Sequence, residues 1–213
     1  MSGKIAFQGE LGAYGHQACA DTCPDYDPLP CPTFTSAIEA VRNGDAELGM
    51  IAVENSTYGR VADVHSLLPE SGLHIVDEAF VRVHINLLGQ KGAQLSEITH
   101  AHGHVVILPQ CAGFLTEHTI RGVVSSDNAK AARDVAEGDD SSQGALASEM
   151  AAQIYGLDVL ARNIEDQDNN TTRFIVMARD INRARRGDHG MMTSLVFRVR
   201  NIPASLFKAM GGT

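Results

Sequence analysis

Short apolar runs alternate with Gly-terminated helical stretches along most of this chain, and that alternation constrains the fold more than any other feature. Lys4–Phe7, Leu48–Val53, Phe80–Leu88, Val105–Leu108, Gly122–Ser125, Gly144–Ala147, Val159–Ile164 and Phe174–Ala178 read as strands. Several are continuously apolar, as strands covered on both faces must be. Between them, Ser36-Ala37-Ile38-Glu39 has capping-box spacing and opens a helix that stops at Gly44. Ser126–Glu137 is Ala-rich and stops at Gly138, and Ser148–Tyr155 stops at Gly156. This pattern predicts an α/β fold with mostly parallel sheets. No sequence repeat is visible, although such regular alternation is compatible with two similar lobes.

Composition narrows the function. The 213 residues carry 17 Lys+Arg against 26 Asp+Glu, a net charge of −9. That balance disfavours nucleic acid, which binds a basic face. No apolar run approaches the roughly 18 residues a membrane span needs. Met1-Ser2-Gly3-Lys4-Ile5 leads straight into a strand-like run without a signal-peptide core, so the expected compartment is the cytoplasm. Cys19, Cys23, Cys31 and Cys111 show no zinc-finger spacing and are expected to be free thiols. After Arg179 the chain turns polar and basic, and 181–192 reads as a linker. Thr193–Val199 then reads as a strand and Pro203–Met210 as a helix.

Six places carry residues suited to chemistry. The Gly9–Gly15 stretch follows the first strand and precedes a helix, which suits either an anion-binding turn or a plain tight turn. Glu54-Asn55-Ser56, with Gly59 close behind, sits at the end of an apolar strand, where α/β ligand sites gather; a capped turn explains it equally well. His100, His102 and His104 share one face if extended. They then stand roughly 7 Å apart in sequence order, too far for one zinc ion with bonds of about 2 Å. A single histidine lining a cleft is the better reading. Pro109-Gln110-Cys111 reads as a helix start, with the Gln110 amide free to meet a ligand or solvent. Ser148 follows a strand and reads as an N-cap rather than a nucleophile, because the Gly-x-Ser-x-Gly turn is absent. Asn169-Asn170-Thr171-Thr172-Arg173-Phe174 is the densest polar cluster. It suits an anionic substrate and proton donation, or a turn before a strand.

Taken together, these stretches resemble the prephenate dehydratase family. Asn170-Thr171-Thr172-Arg173-Phe174 matches the family's Asn-x-Thr-Arg-Phe, and Glu54-Asn55-Ser56 with Gly59 matches its Glu-Asn-Ser element. His104 before Gln110-Cys111, and Ala145–Ser148 before Tyr155-Gly156-Leu157, agree in order and spacing. The resemblance covers about residues 4 to 178. The family's Gly-Thr-Phe-Ser first turn is Gly12-Ala13-Tyr14-Gly15 here, two hydroxyls fewer, and the family's Ser before the cleft His is Gly103.

The resemblance implies two α/β lobes like a type II periplasmic-binding-protein fold, with a cleft between them. Residues 1–180 would form the catalytic domain, lobe one being 1–77 and 160–180 and lobe two 78–159. Residues 193–213 resemble the incomplete start of a ferredoxin-like ACT domain, the module that senses phenylalanine. There Pro203-Ala204-Ser205-Leu206-Phe207-Lys208 matches Pro-Gly-Ala-Leu-x-Lys except at Ala204 and Ser205. The implied reaction is the decarboxylating dehydration of prephenate to phenylpyruvate, driven by aromatisation and needing no cofactor or metal. Thr172 would be the proton donor, with Glu54, Asn55 and Gln110 as catalytic neighbours. Ser56, Gly59, His104, Ser148, Thr171, Arg173 and Phe174 would bind substrate. Thr171 competes locally with Thr172, and the motif register favours Thr172. A homo-oligomer, a dimer, is expected from the family. The alternatives are an arogenate dehydratase and a non-catalytic module that binds an aromatic acid.

Overall fold

A computed structural model describes residues 3–181, 192, 197 and 199–211. The expected linker and most of the expected strand at 193–199 lie outside the described residues. The first part of the chain forms β1 (Lys4–Gln8), α1 (Tyr14–Thr22), β2 (Asp27–Cys31), α2 (Phe34–Asn43), β3 (Leu48–Asn55), β4 (Gly59–Arg60), α3 (Ala62–Leu67) and β5 (His74–Arg82). The middle forms β6 (Asn86–Gly89), β7 (His100–His104), α4 (Ala112–Glu117), β8 (Arg121–Ser125), α5 (Asn128–Glu137), β9 (Gln143–Ala147), α6 (Glu149–Tyr155) and β10 (Asp158–Ala161). Then come β11 (Thr171–Ala178) and α7 (Ser205–Met210).

Two sheets result. One has the order β2-β1-β3-β11-β5, with β4 on β3; the other has the order β10-β6-β9-β7-β8. The expected two-lobed α/β architecture is present. The sheets are mixed rather than mostly parallel. β1 pairs in parallel with β2 and β3, but β11 runs antiparallel to both β3 and β5. In the second sheet β6 is antiparallel to β9 and β10, while β7 is parallel to β8 and β9.

The first sheet is buried on both faces, which explains its continuously apolar strands. On one face Ala37, Ile38 and Val41 of α2 pack on Ile51, Val53, Ile175 and Met177. On the other, Ala18 and Cys19 of α1 pack with Phe7, Met50, Phe174 and Val176. Helix α2 starts earlier than the Ser36–Glu39 spacing predicts. Its capping box is Thr33–Ser36, each side chain accepting the other's backbone N–H at 3.0 Å. Gly44 ends it in the left-handed conformation, as expected.

Three strand expectations need correction. Phe80–Leu88 is not one strand: β5 ends at Arg82 and β6 begins at Asn86, in different sheets. The Val83–Ile85 link carries the chain across, and its own apolar residues hid the break. Val105–Leu108 is a turn leading into a 3-10 turn at Leu108–Cys111; the strand is the preceding His-and-Gly segment, β7. The strand expected over Val159–Ile164 ends at Ala161. Strand β2 was not foreseen, because Pro28 and Pro30 interrupt it; it lies at the sheet edge, where proline is tolerated. Sheet membership also differs from the expected lobe limits. β5 stays with the first sheet to Arg82, and β10 belongs to the second.

The Gly9–Gly15 turn joins the lobes. The Ser148 hydroxyl donates to the Gly12 carbonyl at 2.6 Å, and the Tyr155 hydroxyl donates to the Leu11 carbonyl at 2.8 Å. Arg133 Nη1 meets Glu10 Oε2 at 2.7 Å. Gly12 has φ +91, and a Cβ there would lie 2.8 Å from Ala151 Cα. Close backbone approach is thus what this turn does. Gly12→Ala should therefore cost about 2–4 kcal/mol, from left-handed strain and the clash with α6. Urea unfolding measures this. A change under about 0.5 kcal/mol would show that the lobes do not need the contact.

Candidate active site

Where β11 meets β3, the register slips. Thr172 faces Asn55 and Arg173 faces Glu54, but Phe174 faces Ala52, so Val53 is the extra residue of a β-bulge. A bulge re-aims the side chains beyond it. Directly opposed residues share a face, and neighbours along a strand do not. Asn55 thereby joins Thr172 on the face of Val81, which opposes Thr172 on β5. Glu54 and Arg173 lie on the opposite face, with Phe80.

On the Thr172 face four side chains form a hydrogen-bonded chain. Asn55 Nδ2 donates to Thr172 Oγ1 at 2.9 Å and to Asn170 Oδ1 at 2.7 Å. Asn170 Nδ2 donates to Gln110 Oε1 at 2.6 Å. Gln110 Nε2 donates to the Val106 carbonyl at 2.8 Å. Asn55 comes from the end of β3, Asn170 from just before β11, Thr172 from its start, and Gln110 from the 3-10 turn of the second lobe. The chain therefore spans the junction of the lobes. Asn170 is buried; Thr172 is half-buried. The turn after β3 is fixed beside it. Ser56 Oγ donates to the Asn169 carbonyl and accepts the Thr171 N–H, at 2.6 and 2.9 Å.

The structure brings Asn55, Gln110 and Thr172 together and separates other expected site residues from them. Glu54 is turned away by the bulge and opposes Arg60 and Arg173. Arg173 Nε and Nη2 both contact Glu78 Oε2 at 2.9 Å, so its guanidinium is paired within the sheet. Phe174 is buried in the core against α1 and forms no wall of an open site. Ser148 caps α6 and binds Gly12, as the N-cap reading expects, and its hydroxyl is committed there. Thr171 neighbours Thr172 on the strand and opposes Arg82. Gly59 closes the β3–β4 turn at φ +89. His104 is held by its backbone N–H to Asn128 Oδ1 at 2.8 Å. His102 and His100 bond to Gln143 and Thr99.

Sequence reasoning missed Asn170 as a separate member of the chain, although it stood in the densest polar cluster. It also missed Asn128, for which no local signal exists. The lobe crossings hold further buried polar groups. Glu165 accepts the Ile85 N–H at 2.9 Å and meets His84 Nδ1 at 3.3 Å. The Tyr14 hydroxyl donates to the His84 carbonyl at 2.8 Å, and burial, then Glu165 and Cys111, push its pKa up.

Across this geometry, the family profile described as prephenate dehydratase matches residues 5–182. The chain belongs to the prephenate dehydratase family. A bifunctional N-acyl-homoserine lactone acylase/prephenate dehydratase of Komagataeibacter europaeus is 47% identical over 100% of this chain and 76% of its own length. The chloroplastic arogenate dehydratase/prephenate dehydratase 1 of Arabidopsis thaliana is 37% identical over 97% of this chain. This chain spans 53% of that relative's length. The crystal structure of prephenate dehydratase from Arthrobacter aurescens in complex with L-Phe superimposes with a TM-score of 0.81 at 26% identity. That match covers 97% of this chain and 70% of the other.

The four cysteines of this family member are unpaired. Cys111, next to Gln110, is buried, and burial, then Glu165 and Asp166, raise its pKa to about 12. Burial likewise raises Cys19 to about 12. A raised thiol pKa means little thiolate at pH 8. Alkylation of the native protein at pH 8 should therefore label the partly exposed Cys23 well before Cys111. Equal rates by peptide mapping would mean that the packing around Gln110 opens readily.

Proposed function

We propose that this chain catalyses the decarboxylating dehydration of prephenate to phenylpyruvate, with Thr172 as proton donor. The observation that carries the reading is the Thr172–Asn55–Asn170–Gln110 chain, assembled at the lobe junction on the family's own motif. In the reaction the bond to the departing CO₂ supplies an electron pair to the ring. The ring's carbon–oxygen bond breaks at the opposite position. Hydroxide is a poor leaving group, so the oxygen takes the Thr172 proton and departs as water; solvent then reprotonates Oγ1. A threonine hydroxyl is a weak acid alone. The Asn55 N–H at 2.9 Å stabilises the negative charge that grows on Oγ1 as the proton leaves. Lobe closure over the site would exclude water and align the leaving group.

The expected test result is phenylpyruvate formation, followed by ultraviolet absorbance, that falls about 10²- to 10⁴-fold in Thr172→Ala with unchanged thermal unfolding. Full turnover in the variant overturns the assignment. Arogenate differs from prephenate at the side chain remote from the leaving hydroxyl, and relatives carry both names, so kcat/KM for the two acids decides the substrate. The 47% identical relative is named for acylase activity as well. That supports a second reading, hydrolysis of N-acyl-homoserine lactones. Release of free homoserine lactone by the purified chain, and its persistence in Thr172→Ala, would place that activity at a separate site.

The same reading includes a cytoplasmic homodimer whose residues 193–213 begin an ACT module responsive to phenylalanine. Its support is the Pro203–Lys208 motif, together with α7 in the helical position expected of it. Among the described residues no helix is long and apolar enough to cross a membrane.

A further inference from the structure

The polarity of the amide chain is set at both ends by backbone groups that cannot reverse. At one end the Val106 carbonyl can only accept, so the group of Gln110 that faces it, at 2.8 Å, is Nε2. Gln110 then presents Oε1 to Asn170, and Asn170 must present Nδ2 in return. At the other end the Thr57 and Tyr58 N–H groups can only donate. They lie 3.0 and 2.8 Å from Asn55 Oδ1, so Nδ2 is the Asn55 atom aimed at Thr172 and Asn170. Side-chain amide orientations are normally assigned from such networks rather than observed. Here two independent anchors assign the same orientation, and any single flip would break at least two bonds.

The consequence falls on Thr172. An amide N–H has no lone pair to offer, so the 2.9 Å contact engages an oxygen lone pair of Oγ1 and leaves its proton for another acceptor. Among the described residues Asn55 is the only hydrogen-bond partner of that hydroxyl. Asn170 is the member that joins the two anchors. It is 1% exposed, accepts from Asn55 at 2.7 Å and donates to Gln110 at 2.6 Å. Its own backbone carbonyl accepts the Val83 N–H at 2.9 Å, which ties the returning lobe crossing to the outgoing one.

We propose that Asn170 is a positioning residue that, together with the Thr57 and Tyr58 N–H groups, locks the Asn55 amide with its N–H on Thr172 Oγ1, so that the Thr172 proton is directed at the leaving hydroxyl. This rests on the reading of Thr172 as the acid, and the test separates the two. The parent chain, Asn170→Ala, Thr172→Val and the double variant are compared on prephenate for kcat and KM. Asn170→Ala should lower kcat about 10- to 100-fold, with KM within about threefold. In the Thr172→Val background, the same substitution should change the residual kcat little, because the two residues act as one unit. A purely structural Asn170 would lower both backgrounds by the same factor, and that result overturns the proposal. Parent-like kcat in Asn170→Ala also overturns it. Full turnover in Thr172→Val instead overturns the acid assignment. Should Asn170→Ala fail to fold, Asn170→Leu replaces it in the cycle. It keeps the volume but neither accepts from Asn55 nor donates to Gln110, so it should show the same loss and the same coupling.

Discussion

Strand β11 lies between β3 and β5, and its register with β3 slips by one residue beyond Arg173. Much of the site depends on that slip. Without the bulge at Val53, the alternation of β3 would place Asn55 on the face of Ile51 and Val53, against α2. With it, Asn55 meets Thr172, and Glu54 takes the other face with Arg173. The core tolerates the irregularity because Phe174, Ile175, Val176 and Met177 bury themselves immediately after it. A bulge at the rim of a sheet, backed by four buried apolar residues, is a stable way to turn one polar side chain.

The lobes are joined by contacts of two kinds. One is polar and central: the Asn170–Gln110 bond and the Glu165–Ile85 bond at the crossings. The other is peripheral: the first turn seated on α6, where Gly12 lets backbone approach backbone. The first kind ties the Thr172 network to the junction, and the second sets how closely the lobes meet. Tyr14 belongs to both, since it begins α1 just after the turn and its hydroxyl reaches the His84 carbonyl at the crossing.

The motif residues and the α/β class were legible in the sequence, and the two-lobed plan came with the family resemblance that those motifs carry. Asn55, Gln110 and Thr172 are far apart in the chain, yet each stood at the end of an apolar run or the start of a turn, where side chains reach a ligand rather than the core. What could not be read was direction. Glu54 and Arg173 carry charges suited to a site, but a bulge leaves no compositional trace, and it decides which face Glu54 occupies, while the alternation of β11 sets that of Arg173. Phe174 looked like a wall because it follows the polar cluster; its position on the strand puts it in the core. Strand β2 and strand β7 were hidden by proline and by glycine with histidine, residues whose local preferences run against the strand that pairing imposes.

The path of the chain has a consequence for how the protein comes into being. The strands of the second sheet, between Asn86 and Ala161, are all made before β11, whereas the first sheet lacks an interior strand until Ala178 has been added. During synthesis the later-starting lobe can therefore close first, and the lobe that contains the N-terminus waits with β3 and β5 unjoined. This reverses the usual N-terminal-first order of assembly. It also leaves two strand edges open for the time needed to translate about a hundred residues, about 5–20 s at ordinary elongation rates. The joining of those edges by β11 is the event that brings Thr172 to Asn55, so the Thr172 hydroxyl reaches its amide only when the first sheet is complete.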